Sequence, residues 1–246
     1  MAISVVKLGK RIRDQREKKG LYQADLARLL QVSAQAVSKW ERGENAPDIS
    51  YFLELAKILG VTVDWLLGRA DSEEDTFEAT IFCTALNGYA SRSASLSPRD
   101  VADWANAFFH PITEAVLRYE GVPVKYVGDG FLAFFAGRDH AMRGFEAMRQ
   151  CKTICNNPDL VIGLHCGEIY LGSIGSGDYA TPDIIGEAVN TSFMVRNWIA
   201  KNLENPMAIT SSVYRQIEKN IPKLLKYEAQ VEGLLKKINV YELCNV

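Results

Sequence analysis

The side chains most able to do chemistry fall in two separate stretches of this 246-residue sequence. In residues 34–42, AQAVSKWER, helical spacing puts Gln35, Ser38 and Lys39 on one exposed side. A glutamine amide there can bond both edge atoms of an adenine, and a lysine can reach guanine or a phosphate. Far along the chain, GVPVKYVGDGFLAF (residues 121–134) reads as two strands joined by a tight Gly128–Asp129–Gly130 turn, which presents Asp129 at a hairpin tip. VIGLHCGEIYLGSIG (161–175) pairs a strand with closely spaced glycines, and DIIGEAVN (183–190) precedes a helix. Each signal alone is weak, because a solvated polar residue or a structural turn accounts for it equally well.

Positioning these residues takes two kinds of architecture. From Val5 to Leu67 apolar residues recur three and four apart, as in Leu26, Leu29, Leu30 and Leu53, Leu55, Ile58, Leu59, so this part reads as all helix. RADSEEDT at 69–76 breaks the pattern. Beyond it, strand-like runs at Thr80–Leu86, Val122–Val127, Phe131–Phe135 and Leu160–Cys166 alternate with helical ones at Pro98–Tyr119, Ala141–Cys151 and Glu187–Lys201. The expected division is an all-α domain over 1–68, a linker at 69–76 and an α/β domain over 77–246.

Composition agrees. With 48% hydrophobic and 24% charged residues the chain is ordinary globular material, neither disordered nor collagen-like. The net charge of −2 conceals 12 basic against 8 acidic residues in 1–70 and 16 against 22 in the remainder, so only the first part suits a polyanion. Cys83, Cys151, Cys155, Cys166 and Cys244 form no CxxC pair, which argues against zinc and a disulfide framework. Neither a signal-peptide core nor a bilayer-length apolar run occurs, so the expectation is a cytoplasmic protein with no membrane partner.

LYQADLARLLQVSAQAVSKWERG (21–43) reads as a helix, a turn at Gln31–Val32, and a second helix with Ser33 as N-cap. Ala27 and Val37 suit a close helix crossing, with Trp40 filling the core beneath. With Gln23, Glu41, Gly43, Pro47 and LELAKILGVTVDWLL, this stretch resembles the Cro/phage-repressor-like (XRE-type) helix-turn-helix family over residues 6–68. The resemblance implies five helices, Ala34–Arg42 as the major-groove recognition helix, and double-stranded DNA as partner. It implies DNA contacts from Gln23, Ser33, Gln35, Ser38, Lys39 and Arg42, with Gln23 on the phosphate backbone, and an internal Arg16–Glu41 ion pair. Such domains act as dimers on palindromic half-sites about 34 Å apart, so something must dimerise this one.

Taken together and in order, the KxxGD hairpin, the IGxHxG strand and the GxxVN helix start resemble the class III adenylate/guanylate cyclase catalytic domain, over residues 77–243. The implied fold is a ferredoxin-like βαββαβ core, and the implied assembly a head-to-tail homodimer with nucleotide sites at its interface. By resemblance Lys125 and Asp183 are the purine-selecting pair of adenylate cyclases, Asp129 is the second metal aspartate, holding Mg or Mn in the family, and Asn190 orients the ribose.

The departures point away from catalysis. Ala85 stands where the family has its first metal aspartate. Met194 replaces the transition-state arginine, and Arg196, two residues on, lies about 200° round the helix from it. Counting back from Tyr241 puts Glu232 at the triphosphate-binding lysine. The sequence therefore predicts a transcription regulator whose cyclase-like domain dimerises it and senses an adenine nucleotide or a cyclic nucleotide without catalysis, the short linker transmitting the change. The alternative is an active adenylate cyclase with a regulatory helix-turn-helix domain, in which Asn190 and Arg196 are the residual catalytic groups.

Overall fold

In the computed structural model, residues 4–68, 76–155, 157–175 and 181–243 are described. Five helices form first: α1 (Val5–Lys18), α2 (Gln23–Leu29), α3 (Ala34–Glu41), α4 (Tyr51–Leu59) and α5 (Val63–Leu67). Ser4 caps α1 by accepting from the Lys7 N–H, and Ser33 caps α3 through the Ala36 N–H at 3.1 Å. The apolar stripes of the five helices converge, burying Leu8, Ile12, Leu26, Val37, Phe52, Leu55 and Leu66. Ala27 and Val37 are buried between α2 and α3 as their small and branched shapes predict, and Trp40 lies beneath.

The second part runs β1 (Thr76–Leu86), α6 (Tyr89–Ser95), α7 (Pro98–Arg118), β2 (Val122–Val127), β3 (Gly130–Ala136), α8 (His140–Cys155), β4 (Leu160–Ile174), β5 (Thr181–Ile185), α9 (Glu187–Asn202), β6 (Met207–Thr210), α10 (Ser211–Ile217), β7 (Leu225–Ala229) and β8 (Ile238–Glu242). The sheet order is β2-β3-β1-β4-β6-β8-β7, with β5 paired to β4. The run from β1 to β4 has the expected ferredoxin-like βαββαβ connectivity, and β1 pairs antiparallel with both β3 and β4. The strand predicted from Thr80 starts four residues earlier, at Thr76, and of the expected linker residues 69–75 lie outside the described residues.

Alternate residues of β1 serve different cores. Phe82 and Leu86 pack with Ile112 of α7 and Phe145 and Met148 of α8 on one face of the sheet. On the other face α9 covers Ala85 and Val161 with Val195 and Ile199. There the helix comes so close that a Cβ at Gly163 would lie 3.3 Å from the Ile199 side chain. Phe77, Ala79, Ile81, Leu132 and Phe134 occupy the rest of that second face. They belong to one continuous apolar cluster with Leu26, Phe52 and Leu55 of the helical domain. The helical domain is thus seated on the sheet, with α4 against β5 and the Ile49 N–H bonded to the Pro123 carbonyl at 3.1 Å.

Candidate functional site

α3 carries the expected DNA-facing residues. Gln35 is exposed, whereas Ser38 and Lys39 are half-buried. Arg42 is exposed but engaged, donating to Ser38 Oγ at 2.6 Å and pairing with Glu44 at 2.5 Å. Glu44 is a partner that the sequence reading missed, although an i, i+2 pair just past a helix end is open to inspection. Gln23 donates through Nε2 to Glu41 Oε2 at 2.7 Å. Arg16 meets the same carboxylate with Nε at 2.5 Å and Nη2 at 2.9 Å, and its Nη1 bonds the Leu21 carbonyl at 2.7 Å. Arg16 and Glu41 are buried, so the internal ion pair has the geometry that the family resemblance implies: a bidentate fork joining α1 to α3, with Gln23 of α2 as third member. Ser33 Oγ accepts the cap bond from the Ala36 N–H, which leaves its O–H as a donor.

On the second domain, Lys125 lies on β2, opposite Leu132 of β3, and so on the sheet face that the helical domain covers. Its ammonium meets Asp183 Oδ2 of β5 at 2.5 Å, while Asp183 Oδ1 accepts the Ile184 N–H at 2.8 Å. The side chains are 42% and 21% exposed, a pair within reach of solvent and of a ligand. A bulge between Pro123 and Lys125 brings Lys125 into line with this face. Asp129 is half-buried in the turn that joins β2 to β3, and Asn190 is exposed in the first turn of α9.

Ala85, Met194 and Glu232, the three departures from the cyclase pattern, lie around α9. Ala85 is on β1 under α9. The Met194 sulfur lies 3.0 Å from where a Cβ on Gly233 would be, so the residue in the arginine's place touches the neighbour of the residue in the lysine's place. Glu232 is exposed beside them. Arg196 is turned toward the strand ends, where Nη1 donates to the Thr84 carbonyl at 2.9 Å. It does not share Met194's direction.

A divalent ion does not fit the residues present. Of the two aspartate positions only Asp129 has a carboxylate, and among the described residues no group of three or more His, Cys, Asp or Glu could hold a metal. Burial pushes the Cys83 and Cys166 thiols up to about 12, so neither is a nucleophile or ready ligand at neutral pH. Cys244 lies outside the described residues. His165, bonded to Thr210 Oγ1 at 3.0 Å, has its pKa lowered to about 4 by burial and is a neutral part of the interior.

Residues 12–66 match the helix-turn-helix family. The HTH-type transcriptional regulator ImmR of Bacillus subtilis (strain 168) is 33% identical over 78 residues, covering 30% of this chain and 61% of that protein. An adenylate cyclase of Anabaena cylindrica is 25% identical over 186 residues, 68% of this chain but only 37% of the relative. Among solved structures, the adenylyl cyclase CyaB from P. aeruginosa superimposes with a TM-score of 0.59 at 19% identity, covering 70% of this chain and 95% of that one. Two folds are therefore joined in one polypeptide, an all-α helix-turn-helix domain and an α/β domain of the nucleotide cyclase type. The first is matched by the helix-turn-helix family model, and the second is similar to adenylate and guanylate cyclases in sequence and fold.

No described helix is long and apolar enough to cross a membrane.

Proposed function

We propose that this chain is a sequence-specific DNA-binding transcription regulator, whose cyclase-like domain holds two copies together and reads an adenine nucleotide or cyclic nucleotide without turning it over. The observation that carries the reading is the Lys125–Asp183 pair, kept at 2.5 Å while Ala85, Met194 and Glu232 replace three charge-handling groups. Losing one preorganised charge-stabilising group typically costs about 3–4 kcal/mol of transition-state stabilisation. Three such losses in one site bring turnover near background even where they do not add. Base selection needs only hydrogen bonds that match a purine edge, and the Lys–Asp pair still supplies a donor and an acceptor.

Gln35 and Lys39 read base edges in this proposal, Ser38 and Arg42 flank them, and Gln23 and Ser33 steady the backbone phosphates. A ligand changes DNA affinity only through its differential affinity for two arrangements of the dimer. The Ile49–Pro123 contact offers a direct route for this, two residues from Lys125, beside any transmission through the linker.

The test is a thermal-shift panel of ATP, GTP, cyclic AMP, cyclic GMP and cyclic dinucleotides, with and without magnesium or manganese. A shift with one adenine nucleotide that disappears in Lys125→Ala supports sensing. Metal-dependent cyclic product formed from ATP by the purified protein would overturn the non-catalytic reading in favour of an active adenylate cyclase. Silence across the panel would reduce the domain to a dimeriser.

A further inference from the structure

A cation of the protein's own reaches into the place where the metal aspartates belong. Ala85 directly follows Thr84, whose carbonyl accepts Arg196 Nη1 at 2.9 Å. Asp129 directly precedes Gly130, which lies against the same nitrogen. A Cβ at residue 130 would sit 3.1 Å from Nη1 and 2.9 Å from the Thr84 oxygen, so the guanidinium fits because this position is glycine. Asn197 Oδ1 accepts Nε at 3.3 Å and Nη2 at 2.8 Å, and the Phe193 ring centroid lies 5.2 Å from the guanidinium carbon, which together fix the group's orientation. Burial raises the Cys83 thiol, Arg196 opposes the rise and Asp129 adds to it, so both charges lie within electrostatic reach of one sulfur.

We propose that Arg196 is the resident cation of this site, standing between the end of β1 and the β2–β3 hairpin in place of a divalent ion. Charge balance supports the exchange. With Ala85 at the first position, Asp129 is the one carboxylate left of the pair, and a single guanidinium matches its charge. A guanidinium is planar and more weakly hydrated than an ammonium, which suits it to a partly buried place against a carbonyl and an amide oxygen. Its presence beside both aspartate positions repels an incoming ion even if the missing carboxylate is restored.

The test uses the full chain without any nucleotide, so its outcome is independent of the sensing reading. Wild type, Ala85→Asp, Arg196→Met and the double variant are titrated with Mn2+ while free Mn2+ is followed by electron paramagnetic resonance, and melting is recorded with and without the ion. Wild type and Arg196→Met should take up no ion. The double variant should bind about tenfold or more tightly than Ala85→Asp and gain several degrees with Mn2+. Saturable Mn2+ uptake by the wild type that Asp129→Asn abolishes would overturn the proposal, as would Ala85→Asp binding as tightly as the double variant. Should the double variant fail to fold, Ala85→Asp alone decides. Next to a resident guanidinium its melting temperature rises with pH through the carboxylate range relative to wild type. An identical pH profile overturns the proposal.

Discussion

The Ile49 N–H donates to the Pro123 carbonyl at 3.1 Å, a bond from the loop after α3 to the edge strand of the cyclase-like sheet. Ile49 is buried, and the neighbouring Asp48 adds to the upward push of burial on the Tyr126 hydroxyl, so charge as well as backbone crosses the boundary. A proline on an edge strand has no N–H to leave unpaired, and the bulge that follows it leaves its carbonyl to be satisfied by another element.

Gln35→Ala should weaken binding to the operator by about 1–3 kcal/mol and relax preference at one base position, with the melting temperature unchanged. Fluorescence anisotropy at several salt concentrations separates this from a phosphate contact, whose loss would lower the salt slope. Equal affinity across sequences before and after the change would remove Gln35 from the base-reading set.

Glu41→Ala should cost about 3–5 kcal/mol of stability, because it strands the buried Arg16 guanidinium and releases Gln23 together. Replacing Arg16 and Glu41 together with methionine and leucine should recover most of that loss. Urea midpoints of the three proteins check this, and equal loss in the double replacement would refute the account.

Lys125→Ala should abolish any nucleotide-induced thermal shift while leaving the unfolding free energy of the free protein within about 1 kcal/mol of wild type, since the ion pair is partly solvated. A large loss of stability without ligand would instead make Lys125–Asp183 a structural pair. Isothermal titration with the nucleotide identified in the panel gives the corresponding change in affinity.

Acid should destabilise the fold through its histidines. His165 binds its proton only below about pH 4 when folded but near pH 6.5 when unfolded, so the unfolded state holds more protons between these values. Stability is therefore complete above pH 6.5 and falls as pH drops toward 4, by at most about 1.4 kcal/mol per pH unit for this residue. His140, also shifted down by burial, acts with the same sign. Melting curves from pH 4 to 7 should flatten in His165→Gln, and an unchanged slope would clear His165 of the effect.

Much of this architecture was legible in local patterns. The helix cap at Ser33, the close crossing at Ala27 and Val37, and the hairpin around Asp129 all rest on residues near one another in sequence, where periodicity and turn chemistry decide the outcome. Helix α6 and strands β5 to β8 were not foreseen, because short elements with broken alternation, such as the exposed and half-buried stretch of β7, give no clear period. Arg196 shows the same limit at a single residue. Helical spacing excluded it from Met194's direction, but only the fold brings Thr84, 112 positions earlier, to its guanidinium. The Ile49–Pro123 bond is wholly tertiary, and nothing in either segment announces it.

That bond also bears on how the molecule measures DNA. Without such a contact, only the intervening chain would fix where α3 lies relative to the sheet. Seated through Ile49 and the α4–β5 contact, α3 instead has a fixed offset from the sheet. In the proposed dimer, the half-site spacing that two copies of α3 can match is therefore set by how the two sheets sit against each other.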